Sequence, residues 1–188
     1  MTTIVVVRKG ESAVIAADSL TTFGTTRLGP AYDRYPEKIT AYGDSFLGVA
    51  GSAAHQLVLE NLLARQANLD FHGKAAIYDS FRKLHPLLKD EAFLNPKEEE
   101  DDPYESSQMT VMIANPSGIF AVYSMREVFE FDRFWAIGSG RDFALGAMYT
   151  VYARAKSAAA VAEAGVLAGA EFDTGTSVPI KLHEVRVR

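Results

Sequence analysis

The sequence predicts an α+β domain with four layers, αββα, in which two antiparallel sheets lie between two layers of helices. Three observations predict this fold. The chain opens with two nearly continuous apolar, β-prone runs, helical patterns follow in two pairs, and β-prone segments separate and follow those pairs. A continuous apolar run indicates a strand that is covered on both faces. Two sheets packed on each other, with helices outside, satisfy this order of elements.

Size and composition narrow the possible classes of protein. The 188 residues predict a single domain, 1–188, with a substantial core, and the net charge of −5 argues against nucleic acid as a partner. The absence of cysteine excludes disulfides, thiolate metal sites and a cysteine nucleophile. The four histidines lack metal-ligand spacing, so we expect no metal and no other cofactor. Without a basic and aromatic cluster, a secretory signal or a membrane-length apolar run, we expect a cytoplasmic protein that binds neither nucleic acid nor membrane.

The first half of the chain is predicted to contain two hairpins and two helices. Strands are expected at about 3–8, 12–18, 38–42 and 45–50. The Thr-, Gly- and Pro-rich stretch 19–36 predicts an irregular loop. Ser52 is suited to cap an amphipathic helix. A second helix begins near residue 74, and Pro86 is expected to kink or restart it.

The second half repeats the order of strands and then helices. Strands are expected at about 108–114, 119–124, 127–137 and 178–187. The first two are joined by the turn signature Asn115-Pro116-Ser117-Gly118. Two helices are predicted between the third and fourth strands, one over about 141–155 and one capped by Ser157 that runs to about 171.

The first hairpin carries the functional prediction. Removal of Met1 would leave Thr2 with a free α-amine and a β-hydroxyl, and such an amine can take the proton from its own hydroxyl. Folding the chain about Gly10 places Thr2 opposite Asp18, with Cβ atoms about 5 Å apart. Two simpler interpretations stay open: a threonine that only permits trimming of Met1, and an aspartate that caps the turn at 19–22.

This opening resembles that of catalytic subunits in the proteasome β-subunit and HslV peptidase family. The matching residues are Thr2-Thr-Ile-Val-x-Val, followed by Ala-Ala-Asp-Ser with its aspartate sixteen residues after Thr2. The resemblance covers essentially the whole chain and includes 47–51 and 136–140, each before a helix. The length of the chain, its HslV-like opening and the acidic insert at 95–105 are most similar to the branch called the betaproteobacterial proteasome homologue. The resemblance implies the N-terminal nucleophile hydrolase fold, which is the αββα arrangement.

The resemblance also implies a cation beside the threonine. Lys38 stands before a strand where the family has its catalytic lysine, and Asp18 would hold its ammonium. Such a charge would keep the threonine amine neutral and favour the transition state. The register of HslV falls nearer Arg34, so that residue stays an alternative. An arginine would weaken the acid–base account because it does not deprotonate in proteins.

Four further residues correspond to family positions. Gly48 is identified with the glycine whose backbone N–H stabilises the oxyanion, although a bulge or close strand packing would also use glycine. Ser139 is identified with the serine that hydrogen-bonds the threonine amine, although Gly-Ser-Gly before a helix is a common cap. Asp173 and Thr176 resemble the family's Asp-x-x-Ser, which supports the nucleophile. The sequence Asp-Thr-Gly-Thr is also typical of a simple turn.

Substrate contacts are implied at three positions. Thr21 and Thr22 lie in the segment that pairs with extended substrate in the family. Phe46 falls near the floor of the primary side-chain pocket, where it would favour small or medium apolar side chains; it is equally a core aromatic. A mobile acidic loop is predicted at about 95–107, because five consecutive acids lie between prolines. By resemblance, the loop could face the pore of a ring.

The function that these features imply is a self-compartmentalising threonine peptidase. It would cleave polypeptides inside a homo-oligomeric double ring of 12 or 14 subunits, with an ATP-dependent unfoldase as a possible partner. Two alternatives stay open: a catalytically silent ring or scaffold subunit, and an N-terminal nucleophile amidohydrolase acting on small amides.

Overall fold

The computed structural model describes residues 2–97 and 99–188, so Met1 and Glu98 lie outside the described residues. The strands, numbered in chain order, are β1 Thr3–Lys9, β2 Ser12–Ala17, β3 Thr21–Phe23, β4 Thr26–Leu28, β5 Ile39–Tyr42, β6 Ser45–Ala50, β7 Thr110–Asn115, β8 Gly118–Val122, β9 Val128–Phe131, β10 Phe134–Gly138 and β11 Lys181–Arg186. The helices are α1 Ala53–Arg65, α2 Lys74–Asp90, α3 Arg141–Val151 and α4 Ala158–Phe172. Within the described ranges, no helix has the length and apolar character that crossing a membrane requires.

The predicted αββα order is confirmed. One antiparallel sheet has the order β10-β1-β2-β11 and the other has the order β5-β6-β7-β8-β9. Side chains from the facing sides of the two sheets form a shared core, to which β1 and β2 contribute every second residue. The alternate residues of β1 and β2 pack against α3 and α4. The outer face of the five-stranded sheet packs against α1 and α2. Burial on both faces explains why the first hairpin is apolar throughout.

The segment predicted as one strand over 127–137 is in fact two strands in different sheets. β9 pairs with β8 in the five-stranded sheet, whereas β10 pairs with β1 in the other. The chain changes sheets at Asp132 and Arg133, which lie between the two strands. The aromatic residues on both sides of this change form one run in the sequence, and Phe131 stacks on Trp135 with ring centroids 5.1 Å apart. The prediction of a single strand was wrong because a hydrophobic pattern indicates that residues are buried in a sheet but not with which strand they pair.

One other local prediction was wrong, and one was wrong in part. The stretch 19–36 is not irregular throughout, because β3 and β4 form a short hairpin around Gly24, whose φ is 61°. α2 continues through Pro86 and does not restart there. A proline costs a helix one internal hydrogen bond. Burial of Phe81, Leu84 and Leu88 on one face holds the helix on both sides of the proline.

The C-terminal end of the acidic loop, at Glu105, is attached to α2. The Glu105 carboxylate pairs with Lys89 and lies 3.0 Å from His85 Nε2. Arg126 donates to the Glu105 carbonyl at 2.6 Å. These contacts order the base of the loop, while its mobility and its position relative to a pore stay predictions.

Close packing of α4 on β1 depends on a glycine. A Cβ built on Gly169 would lie 2.6 Å from Thr3 Oγ1 and 3.2 Å from Thr3 Cβ. We expect Gly169→Ala to lower the free energy of unfolding by about 1–3 kcal/mol, because one of the two elements must shift. The matched control is Gly146→Ala on α3, where a Cβ meets nothing within 4 Å. It is expected to raise stability by up to about 1 kcal/mol through helix propensity. Denaturant unfolding measures both, and equal effects would contradict the packing argument.

Candidate active site

The register of the first hairpin differs by one residue from the prediction. Ile4 pairs with Ala17 and Lys9 with Ser12, so Gly10 and Glu11 form a two-residue turn. Thr3, and not Thr2, therefore lies opposite Asp18: their backbones are joined by a hydrogen bond of 3.2 Å from Asp18 N to Thr3 O. The φ of 62° at Gly10 permits this tight turn. Thr2 lies one residue before the strand begins.

Lys38 connects Thr2 to Asp18. It lies directly before β5, and its Nζ donates to Thr2 Oγ1 at 2.9 Å, to Asp18 Oδ1 at 2.8 Å and to the Leu20 carbonyl at 2.6 Å. Lys38 is 8% exposed and Asp18 is fully buried. The alternative cation, Arg34, is exposed, and its guanidinium lies over the Tyr35 ring at 5.5 Å. The structure therefore brings Lys38 to Thr2.

Both oxygens of the Asp18 carboxylate accept hydrogen bonds from neighbouring groups. Oδ1 accepts from the Thr3 N–H at 3.0 Å as well as from Lys38. Oδ2 accepts from the N–H groups of Leu20 at 3.0 Å and Ser177 at 3.3 Å. These four donors satisfy the hydrogen-bonding capacity of the buried carboxylate. It fixes the ends of β1 and β2 and the loop before β11 around the Lys38 ammonium.

Burial lowers the pKa of Lys38, because removing the ammonium from water disfavours its charge. The attraction of Asp18 and the hydrogen bond to it act in the opposite direction but do not cancel the effect of burial. Lys38 is consequently easier to deprotonate than a lysine on the surface.

Ser139, Asp173 and Thr176 form a network on the nitrogen side of Thr2. Ser139 and Thr176 both donate to Asp173 Oδ2, at 2.7 Å and 2.6 Å. Because each hydroxyl has one proton, Ser139 Oγ is left to accept from Thr2 N at 3.2 Å. By the same argument, Thr176 Oγ1 accepts from Thr3 Oγ1 at 2.7 Å. Ser139 Oγ also lies 3.5 Å from the Thr2 carbonyl oxygen, but its one proton goes to the much closer Asp173 carboxylate.

The charge of Asp173 is maintained by this network. Partial burial acts to raise the pKa of its carboxyl, but hydrogen bonds from Thr176, Ser139 and the Gly175 N–H outweigh burial, and the pKa is lowered. Asp173 is therefore a permanent acceptor near neutral pH, and it keeps the protons of its two hydroxyl partners pointed away from Thr2.

Thr3 is a member of the site that the sequence analysis missed. It is fully buried, and its hydroxyl enters the network through Thr176. Gly140 and Gly169 make room for it, since a Cβ on either would collide with Thr3 Oγ1. The available signal was strand alternation: consecutive residues point to opposite faces, so Thr3 had to face α4 when Thr2 faced the other side.

A small cleft is lined by Thr2 and Lys38. Its lining includes the predicted residues Thr21 and Thr22. It also includes residues that the sequence analysis did not assign to a site: Leu20, Val49, Gly51, Ser52, Ala53 and Gln56. The cleft therefore lies between the start of β3, the end of β6 and the first turns of α1.

Two predicted positions do not line this cleft. Gly48 lies in the middle of β6, between β5 and β7, so its backbone groups face neighbouring strands. A Cβ there would lie 3.1 Å from Ile4 in the core between the sheets. Phe46 stacks on His183 at 4.6 Å and packs against the same core. The interpretations of Gly48 and Phe46 as cleft residues were wrong, and their alternative interpretations, close strand packing and a core aromatic, hold.

Comparison with known proteins places this geometry in a class. No protein-family model matches the chain, and no curated protein does. Among solved structures, BPH from Thiobacillus denitrificans in complex with epoxomicin is 38% identical, with a TM-score of 0.92 over 99% of both chains. A second structure of that protein is 40% identical, with a TM-score of 0.92 over 99% of this chain and 98% of that one. Eukaryotic HslV from Trypanosoma brucei, 19% identical, has a TM-score of 0.70 over 98% of this chain and 99% of its own and shares the fold.

The chain therefore belongs to the proteasome β-subunit and HslV peptidase family of N-terminal nucleophile hydrolases. Within that family it lies in the branch of the bacterial proteasome homologues, to which the two structures from Thiobacillus denitrificans belong. The resemblance predicted from the sequence is confirmed at both levels.

Proposed function

We propose that the chain is an N-terminal threonine endopeptidase, with residues 1–188 forming one peptidase domain, and that Thr2 forms an acyl-enzyme with its substrate. The observation that carries the proposal is the placement of Thr2, whose hydroxyl lies 2.9 Å from the buried Lys38 Nζ and whose nitrogen lies 3.2 Å from Ser139 Oγ. The hydroxyl and the nitrogen of one residue are thus oriented by separate groups, as a nucleophile that supplies its own base requires.

The proposed reaction begins after Met1 is removed, a step that lies outside the described residues. Thr2 Oγ attacks the peptide carbonyl carbon while its proton passes to the Thr2 amine. The C–N bond then breaks, the proton passes to the leaving amine, and an ester remains on Oγ. Water attacks the ester, with the same amine taking its proton. Release of the carboxylate regenerates the hydroxyl.

The Lys38–Asp18 pair would act on the hydroxyl of Thr2, and the network of Ser139, Asp173 and Thr176 would act on its amine. The Lys38 ammonium, held by Asp18, would favour the neutral amine by charge repulsion and stabilise the developing alkoxide. Ser139 Oγ, whose proton is donated to Asp173, would accept one amine N–H and so leave the amine lone pair free to face Oγ. Thr176 would hold Asp173 in the position that this requires.

An oxyanion donor must lie beside the attacked carbonyl. Gly48 is excluded from this role by its position inside β6. Gly51 lies just beyond β6 and lines the cleft with Thr2, so we assign its backbone N–H to the oxyanion. An added Cβ there would lie 3.0 Å from His55 Nδ1 and 3.4 Å from the Gln108 carbonyl. Thr21 and Thr22 would bind the backbone of an extended polypeptide by strand addition.

Family membership supports a proposal about assembly. We propose a cytoplasmic double ring of 12 or 14 copies that encloses the active sites and is served by an ATP-dependent unfoldase. Large aromatic side chains on the outer surface of α3 and α4, among them Tyr149 at 78% exposed and Phe172 at 67%, are of the kind that interfaces cover. Native mass spectrometry distinguishes the two copy numbers.

Reaction with epoxomicin tests the proposed function. BPH from Thiobacillus denitrificans forms a complex with this compound, which offers a ketone to a hydroxyl and an epoxide to an adjacent amine. We expect intact-mass measurement to find one adduct per chain after Met1 is removed by an aminopeptidase. The same preparation with Met1 retained is the control and should stay unlabelled. Labelling of the untrimmed chain, or none of the trimmed chain, would contradict the proposal.

A further inference from the structure

The wall of the cleft opposite Thr2 contains one side chain whose amide orientation can be deduced. Gln56 lies in the second turn of α1 and lines the cleft with Thr2 and Lys38. Its Nε2 lies 2.6 Å from the Glu37 carbonyl and 2.9 Å from Glu60 Oε1. A carbonyl and a carboxylate only accept hydrogen bonds, so the nitrogen end of the amide must face them.

The oxygen end of the Gln56 amide is then the end that remains for the cleft. Neither Glu37 nor Glu60 lines the cleft, and both bind the nitrogen end of the amide. Within residues 2–97 and 99–188, Gln56 Oε1 receives no hydrogen bond. This oxygen is not buried, so a ligand can reach it. Thr40 Oγ1 donates to Glu60 Oε1 at 2.9 Å and helps hold the carboxylate that fixes the amide.

The Lys38 ammonium does not compete for this oxygen. All three Lys38 N–H groups are already donated, to Thr2, Asp18 and the Leu20 carbonyl. The remaining walls include the apolar side chains of Leu20, Val49 and Ala53. Beside these apolar walls and the hydroxyl-bearing residues Thr21, Thr22 and Ser52, the cleft presents one acceptor whose orientation is fixed, and the charge behind that acceptor is the negative charge of Glu60.

We propose that Gln56 is a specificity-determining residue and that the pocket favours substrates whose side chain before the cleaved bond ends in a nitrogen hydrogen-bond donor. This inference rests on the proposed function. An amide or ammonium group would donate to Gln56 Oε1, whereas an apolar side chain of equal length would remove water from that oxygen without replacing its hydrogen bond. This preference differs from the apolar one expected from Phe46, which does not line the cleft.

The test uses two fluorogenic peptides that differ only in having glutamine or methionine before the cleaved bond, two side chains of similar length. With trimmed protein, we expect kcat/KM to be about tenfold higher for the glutamine peptide. In Gln56→Met, the ratio should fall to about one or reverse, because the acceptor is lost while the volume is kept. Asn61→Met, on the exposed side of α1, is the matched control and should keep the wild-type ratio.

The outcomes separate the two proposals. Cleavage of both peptides with equal efficiency, or a preference for methionine, by the wild-type protein would overturn the role of Gln56 while leaving the peptidase proposal intact. An unchanged preference for glutamine in Gln56→Met would do the same. Absence of any cleavage, together with absence of the epoxomicin adduct, would overturn the proposed function and this inference with it. The wild-type ratio decides the matter even if the variant does not fold.

Discussion

Replacing Thr2 by alanine is expected to abolish peptide hydrolysis, with a loss of at least about 10³-fold in kcat. The substitution removes the hydroxyl that accepts a hydrogen bond from the Lys38 ammonium at 2.9 Å, on a residue that lines the cleft. The amine and its contact with Ser139 remain, so the variant separates nucleophile from base. Initial rates with a fluorogenic peptide, measured on protein verified by mass to lack Met1, provide the test.

The fold should survive this substitution. Lys38 keeps its hydrogen bonds to Asp18 and the Leu20 carbonyl, so we expect a stability change within about 1 kcal/mol. Thr2→Ser should retain measurable activity, because it keeps the hydroxyl. Thr150→Ala, on the exposed side of α3, is the matched control and should cleave at the wild-type rate. Wild-type rates in trimmed Thr2→Ala would show that another group attacks the substrate.

Replacing Lys38 by methionine is expected to reduce kcat by at least about a hundredfold and to destabilise the fold. The variant leaves the fully buried Asp18 without its counter-ion, and breaking such a pair from one side costs about 3 kcal/mol. The three backbone N–H groups that remain on the carboxylate should keep the cost near that value. Thermal unfolding should therefore occur about 6–12 °C lower.

The matched control for this variant is Arg34→Met, which removes the alternative cation. Arg34 is exposed and contacts Tyr35, so activity and stability should both stay at wild-type values. The opposite pattern, loss of activity in Arg34→Met and retention in Lys38→Met, would show that the arginine is the functional cation.

The pH profile adds a second measurement of Lys38. Its pKa is lowered from the ordinary value of 10.5, chiefly by burial. As pH rises through this lowered pKa the ammonium is lost, and with it the charge that favours the neutral amine and the alkoxide. We therefore expect kcat to decline on the alkaline side at a pH below 10.5, and the decline to move to higher pH in Lys38→Arg, because a guanidinium stays charged. An alkaline decline at the same pH in both proteins would assign it to another group.

Local patterns in the sequence were sufficient for most of the elements. The turn at Gly10, the cap at Ser52 and the signature Asn115-Pro116-Ser117-Gly118 mark boundaries that the structure also has. Each depends on interactions between residues a few positions apart, so the local sequence is enough to predict it. The αββα order follows from them because each sheet face and helix face must be covered.

The candidate site was predicted through residues that begin or end such elements. Thr2 and Asp18 adjoin β1 and β2, and Lys38 directly precedes β5, where short hairpins bring strand ends together. Their assigned roles stay predictions, as do those of Ser139, Asp173 and Thr176, until the variants are measured. The structure adds that all of them meet around one buried ammonium and one hydroxyl network.

What sequence patterning determined is the set of layers, the first hairpin and the identity of the residues at its open end, because periodicity and turn chemistry act over short stretches of chain. Only the tertiary structure decided that Thr3 and not Thr2 faces Asp18, that Lys38 and not Arg34 reaches Thr2, and that Gly51 and Gln56 border the cleft in place of Gly48 and Phe46. The physical reason is register: a shift of one residue turns a side chain to the other face of a sheet, and the partner that selects the register lies far away along the chain.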